Sequence, residues 1–277
     1  MTLPTSFIRQ GFLSPEQARQ GGRKFRRLMI GTDGATDTGK TEFALSCPGP
    51  GIVICLDRGF DGVFDNPAPP ASRRDDFAFK VTQQPLATQA AQTDFLEYWK
   101  QFYSIFKEAL ANPDARTVVI DGDSDSWELQ RLAEFGKLSQ IPPIMYTNVN
   151  AARRAMYARA WDSGKIVIAT NKISREYKTI KNADGTPKLN EKSGQEIREW
   201  DGKSFKRQGF EDQEYLWQIQ LRHLYREAKA GPEWGIKITK CKADKSLIGL
   251  ELWGTDCCFT GLVSAVYPHI DLAEWGL

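Results

Sequence analysis

Gly34-Ala35-Thr36-Asp37-Thr38-Gly39-Lys40-Thr41 carries the clearest chemistry in this chain. It satisfies the pattern of glycine, four residues, glycine, lysine, then serine or threonine. Gly34 and Gly39 let the backbone curl, so that successive N–H groups from Ala35, Thr36, Asp37 and Thr38 point at phosphate oxygens. Lys40 brings its charge near β- and γ-phosphates, and the Thr41 hydroxyl is a magnesium ligand. A helix starting there aims its positive end at the same place. The motif predicts a cradle for ATP, or a close relative, around a magnesium ion. Asp33 and Asp37 sit among these groups, and carboxylates repel phosphates, so both are expected to turn outward.

A second group is Arg116 to Asp121, an apolar run ending in an aspartate. A carboxylate at the carboxyl end of a buried strand holds magnesium beside such a loop, usually through water. Asp123, Ser124 and Asp125 follow, where helix capping is the plain reading and is preferred for Ser124. A third group is Thr170-Asn171, after the run Ile166 to Ala169. It stands where a strand emerges on the nucleotide side, either to meet the γ-phosphate or as a plain strand-end turn.

These groups need a scaffold, and the periodicities supply one. Phe25–Ile30 reads as the first strand, and the continuous apolar runs at Ile52–Leu56, Val118–Ile120 and Ile166–Ala169 read as buried strands. Phe77, Phe79 and Val81 alternate as a further strand. Phe95, Trp99, Phe102, Phe106 and Leu110 recur at helical spacing and read as a core-facing stripe. Helices are expected near Ser124–Leu138 and Asn150–Trp161. Strand and helix in alternation imply a parallel sheet. Beyond Asn171 three alternating runs, at Tyr215–Leu221, Trp234–Ile238 and Ile248–Leu252, predict half-buried antiparallel strands.

The bulk numbers narrow the classes. A net charge of +2 excludes a globally basic nucleic-acid binder. Five cysteines without a CxxC pair, and two histidines, argue against a disulfide framework and a thiolate or histidine-rich metal site. The first residues, MTLPTSFIRQ, lack a signal-peptide core, so a cytoplasmic protein is expected.

Strands ending at the phosphate loop, at Asp121 and at Thr170-Asn171 resemble the RecA-like ATPase core. Within it the chain is similar to small bacteriophage nucleotide-binding ATPases associated with recombination and single-strand annealing. The resemblance spans about Phe25 to Gly254. It implies ATP and magnesium, self-association into rings or filaments, single-stranded DNA, a recombination or single-strand-binding partner protein, and the cytoplasm of a bacterial host. It also places a catalytic carboxylate just past the strand after the loop. That segment reads Cys55-Leu56-Asp57-Arg58-Gly59-Phe60-Asp61, with Asp57 in place of a glutamate. A small-molecule kinase and a non-hydrolysing nucleotide switch remain alternatives.

The expected organisation is an N-terminal arm (1–22), an ATPase domain (23–260) with a basic hairpin or loop insertion at 172–207, and a C-terminal tail (261–277). The insertion carries Lys178, Lys181, Lys203, Lys206 and Arg207, with Tyr177, Trp200 and Phe205 interspersed. Cations that neutralise phosphates beside rings that stack on bases suit a single-strand binder. A solvated hairpin is the plainer alternative, because Glu176, Glu191, Glu196 and Glu199 dilute the charge. Lys240 and Lys242 lie two apart on an expected strand and so project from one face. The resemblance implies that this strand offers its cations to a neighbour's γ-phosphate, and an ordinary surface hairpin is the alternative.

Overall fold

A computed structural model describes residues 26–56, 71–82, 92–138, 140–190, 194–229 and 231–277. Asp57, Asp61 and the arm at 1–22 lie outside these residues. Nine strands are present among them: β1 (Leu28–Gly34), β2 (Gly51–Cys55), β3 (Phe77–Val81), β4 (Thr117–Asp121), β5 (Ile166–Thr179), β6 (Arg198–Arg207), β7 (Ile219–Ala228), β8 (Gly231–Cys241) and β9 (Glu251–Trp253). The helices are α1 (Lys40–Ala44), α2 (Gln92–Ala111), α3 (Asp123–Phe135), α4 (Tyr146–Asp162), α5 (Gln213–Leu216) and α6 (Phe259–Val266). No described helix is long and apolar enough to cross a membrane.

The strands form one sheet in the order β3-β2-β4-β5-β1-β7-β8-β9, with β6 paired to the far part of β5. From β3 to β7 every pair is parallel, and β7-β8 and β8-β9 are antiparallel. The fold is thus a mainly parallel α/β sheet with antiparallel strands added on its C-terminal side, as expected. β5 is inserted between the strand of the phosphate loop and the strand of Asp121.

Side chains alternate across the pleat, so each apolar strand feeds two cores. Leu28, Ile30, Val53, Val119 and Ile168 pack toward α1 and α6, with Phe43, Phe259 and Trp275. Met29, Ile54, Val118, Ile120 and Val167 pack on the other face against α2, α3 and α4. The stripe on α2 behaves as its spacing predicts: Phe95, Phe102, Phe106 and Leu110 are buried. The chain end also closes a core, through Val266 and Trp275.

Three expectations need correction. β7 is antiparallel only to β8 and runs parallel to β1, because the chain leaves β6, passes α5 and re-enters the sheet beside β1 in the same direction. The alternation from Tyr215 to Leu221 begins outside any strand. Tyr215 is on α5 and exposed, Trp217 caps that helix in the second core, and β7 starts at Ile219. The run from Ile248 reaches strand geometry only at Glu251, since Gly249 adopts a positive φ of 99°.

Candidate nucleotide site

The phosphate loop leaves β1 at Gly34 and ends in α1, with Gly39 in the left-handed region at φ 82°. A residue with a β-carbon is disfavoured there, which is the physical use of that glycine. Thr38 Oγ1 donates to the Ala35 carbonyl at 2.8 Å, and Lys40 Nζ folds back to the Gly34 and Ala35 carbonyls. Asp37 is exposed, as expected. Asp33 is not turned to solvent: Arg222 of β7 grips its carboxylate through Nε. Burial raises the Asp33 pKa, while the hydrogen bond and charge of Arg222 pull against it.

Thr41, Asp121 and Thr170 come together from three separate elements. Thr41 Oγ1 donates to Asp121 Oδ2 at 3.0 Å, and Thr170 Oγ1 donates to Asp121 Oδ1 at 2.7 Å. The Gly122 N–H then donates to Thr170 Oγ1 at 2.9 Å. Register explains the meeting. β4 and β5 are neighbours, paired up to Ile120↔Ala169, so the next residue on each strand lies on the face occupied by α1. A hydroxyl and a carboxylate side by side form an all-oxygen donor set, which suits magnesium.

Asn171 departs from the expectation that it acts with Thr170. Consecutive strand residues point to opposite faces, and Asn171 is buried on the side away from α1. There it crowds Gly209, whose φ is 123° and whose added β-carbon would lie 3.0 Å from Asn171 Oδ1. Ser124, read as a helix cap, instead fastens this region. Its hydroxyl donates to the Gln208 carbonyl and accepts from the Lys172 N–H, both at 3.0 Å.

Asp123 is no cap either. It is fully buried and accepts from Arg153 at 2.6 Å, Tyr157 at 2.7 Å and Gln213 at 2.9 Å. Burial opposes the Arg153 charge, yet Asp123 and Tyr157 beside it leave its pKa raised. Burial likewise pushes the Tyr157 phenol well up, so it remains a donor. The network ties α4 and α5 to the first turn of α3, directly after Asp121.

The antiparallel strands back the loop in a way the sequence does not announce. His223 Nδ1 lies 3.1 Å from the Thr38 carbonyl, and Trp234 Nε1 donates to the Asp37 carbonyl at 3.1 Å. Burial, with the Lys40 charge adding to it, holds the His223 pKa down to about 3. The imidazole is therefore neutral at neutral pH. The Thr38 carbonyl can only accept, and Nε2 is buried with no hydrogen-bond partner among the described residues, so the proton belongs on Nδ1.

No family model matches this chain. No curated protein matches it either. Among solved structures, the crystal structure of the RadB recombinase is similar over 87% of this chain and 92% of that one, at 10% identity and a TM-score of 0.42.

The remaining sequence-predicted residues lie away from the loop. Lys240 is opposite Gln220, which is opposite Gly31, three positions before Gly34. Burial and the nearby Lys242 charge lower the Lys240 pKa. Lys242 Nζ donates to the Tyr215 carbonyl at 2.9 Å. In the 172–207 segment, β5 and β6 form a two-stranded hairpin. Lys181, Lys203 and Lys206 are exposed on it, and Lys178 reaches Asp201 at 3.1 Å. Arg207 points inward to the Phe210 and Glu211 carbonyls, and its side chain is only 9% exposed. Arg175 pairs with Phe205 and Tyr177 with Trp200, with a register shift between the two pairs. The Arg175 guanidinium lies 4.6 Å from the Trp200 ring.

Proposed function

We propose that this chain is a RecA-like ATPase that binds ATP with magnesium and acts on single-stranded DNA in phage recombination or replication. The observation that carries the nucleotide part is the meeting of Thr41, Asp121 and Thr170 beside a complete phosphate loop. Gly34 to Thr41 hold the phosphates through backbone N–H groups, and Lys40 exchanges its carbonyl partners for phosphate oxygens. Thr41 and Asp121 hold the magnesium, which when bound neutralises charge on the β- and γ-phosphates. Thr170 fixes the orientation of the Asp121 carboxylate. Asp57 is proposed as the base that orients water. β2, which leads to it, is registered with β4 as far as Cys55↔Asp121. Asn171 serves the strand end from the opposite face.

The DNA part rests on the hairpin. Lys178, Lys181, Lys203 and Lys206 supply phosphate-neutralising charge, and Tyr177, Trp200 and Phe205 supply stacking surface. Arg207 contributes by bracing the hairpin base. Self-association is proposed because Lys240 and Lys242 lie away from their own loop and are placed to serve a neighbour's nucleotide. The phage setting and a recombination partner rest on the motif resemblance alone.

ATP turnover with and without single-stranded DNA tests this reading. Magnesium-dependent turnover should rise with DNA, and a folded Lys40→Ala protein should lose ATP binding. Unchanged ATP affinity in that variant would sink the phosphate-loop assignment. Binding without turnover would favour a nucleotide switch, and turnover needing a small-molecule acceptor would favour a kinase.

A further inference from the structure

β7 and β8 outrun the strand that carries the phosphate loop. β1 last pairs with β7 at Asp33↔Arg222, whereas β7 and β8 stay paired through Ala228↔Gly231. Six further residues of β7 rise past the loop, roughly 20 Å at strand spacing. Alternation puts His223, Tyr225, Trp234 and Ile236 on the face that α1 occupies. His223 and Ile236 are buried beneath the loop. The next pair outward is not: Tyr225 is 47% and Trp234 42% exposed.

That pair forms a wall. The rings meet edge to face, with centroids 6.0 Å apart and planes at 65°. Trp234 is held against the loop by its bond to the Asp37 carbonyl. Its Cδ1 lies 3.5 Å from the point where a β-carbon on Gly39 would sit. Leaving two large rings open costs apolar exposure, and the Trp234 indole borders the phosphate cradle at Asp37 and Gly39 with Tyr225 packed against it. The base of a nucleotide is one ribose away from its α-phosphate, and its flat π-face matches an aromatic ring.

We infer that Tyr225 and Trp234 receive the base of the nucleotide by stacking; the inference rests on the phosphate-loop reading. The ring donors are already engaged, Tyr225 Oη with Glu227 and Trp234 Nε1 with Asp37. The wall therefore reads ring area rather than base-edge groups. ATP and GTP should bind alike, and pyrimidine nucleotides more weakly.

Calorimetry with magnesium plus ATP, and separately with magnesium plus inorganic tripolyphosphate, separates the two readings. Tyr225→Ala and Trp234→Ala should each weaken ATP about five- to a hundredfold, leaving tripolyphosphate within about twofold. Trp234→Phe keeps a ring and should retain most of the ATP affinity. Lys40→Ala should lose both ligands. If tripolyphosphate falls as far as ATP in Trp234→Ala, the indole only shapes the loop and the inference is overturned. Equal wild-type affinity for both ligands overturns it while sparing the phosphate loop. A wild-type protein that binds neither overturns both.

Discussion

His223 stands under the phosphate loop as a neutral donor, and its burial has a thermodynamic sign. Its folded pKa of about 3 lies below the ordinary value of 6.5, so the unfolded chain takes up the proton first. The stability held by the neutral ring is complete above about pH 6.5. It drains away as pH falls toward 3, by up to about 1.4 kcal/mol per pH unit. Asn can offer Thr38 the same hydrogen bond without titrating. Urea unfolding at pH 7 and pH 5 should therefore show the wild type losing about 2 kcal/mol more than His223→Asn. Identical losses in the two proteins would mean that His223 is hydrated in the folded state.

At the scale of elements, the join between β4 and α3 depends on a buried ion pair. Asp123 and Arg153 are each fully buried, and removing one partner strands the other's charge. Asp123→Asn or Arg153→Met alone should cost about 3–5 kcal/mol by denaturant unfolding. The double variant should cost less than the sum of the two. Strict additivity would show that each residue acts through packing alone. The β5–β6 hairpin has a different signature. If it tracks a phosphate backbone, affinity for single-stranded DNA falls steeply with salt. Neutralising Lys178, Lys203 and Lys206 together should then flatten the log–log slope by about 2. A slope unchanged in the triple variant would leave the hairpin as a solvated projection.

For the whole molecule, the placement of Lys240 and Lys242 makes assembly testable. Lys240 lies at the level of Gly31 on a strand two removed from β1, and Lys242 follows just past the end of that strand, so their own loop is not their target. A cation delivered to a developing γ-phosphate charge raises turnover by roughly a thousandfold or more in related chemistry. Turnover per subunit should rise with protein concentration. Mixing Lys40→Ala subunits with Lys240→Ala/Lys242→Ala subunits should restore part of the activity, because some interfaces pair an intact loop with intact lysines. A fully active monomer at high dilution would reduce these lysines to surface charge.

What the chain determined on its own was local. The phosphate loop is a contiguous motif, and the strands leading to Gly34, Asp121 and Thr170 are apolar runs whose length and spacing follow from burial on both faces. The order of elements, and hence the mainly parallel sheet, was legible for the same reason. The tertiary structure alone decided which residues meet across the chain. Arg222 reaches Asp33, His223 reaches Thr38 and Trp234 reaches Asp37 because β7 enters beside β1 in parallel, and no local periodicity encodes that neighbour. Asp123 looked like a cap until α4 brought Arg153 to it. Thr170 and Asn171 were adjacent in sequence and were read as partners; pleating separated them to opposite faces. Hydrophobic period reports what a segment must bury, but the partner of a buried polar group is set only when distant elements dock.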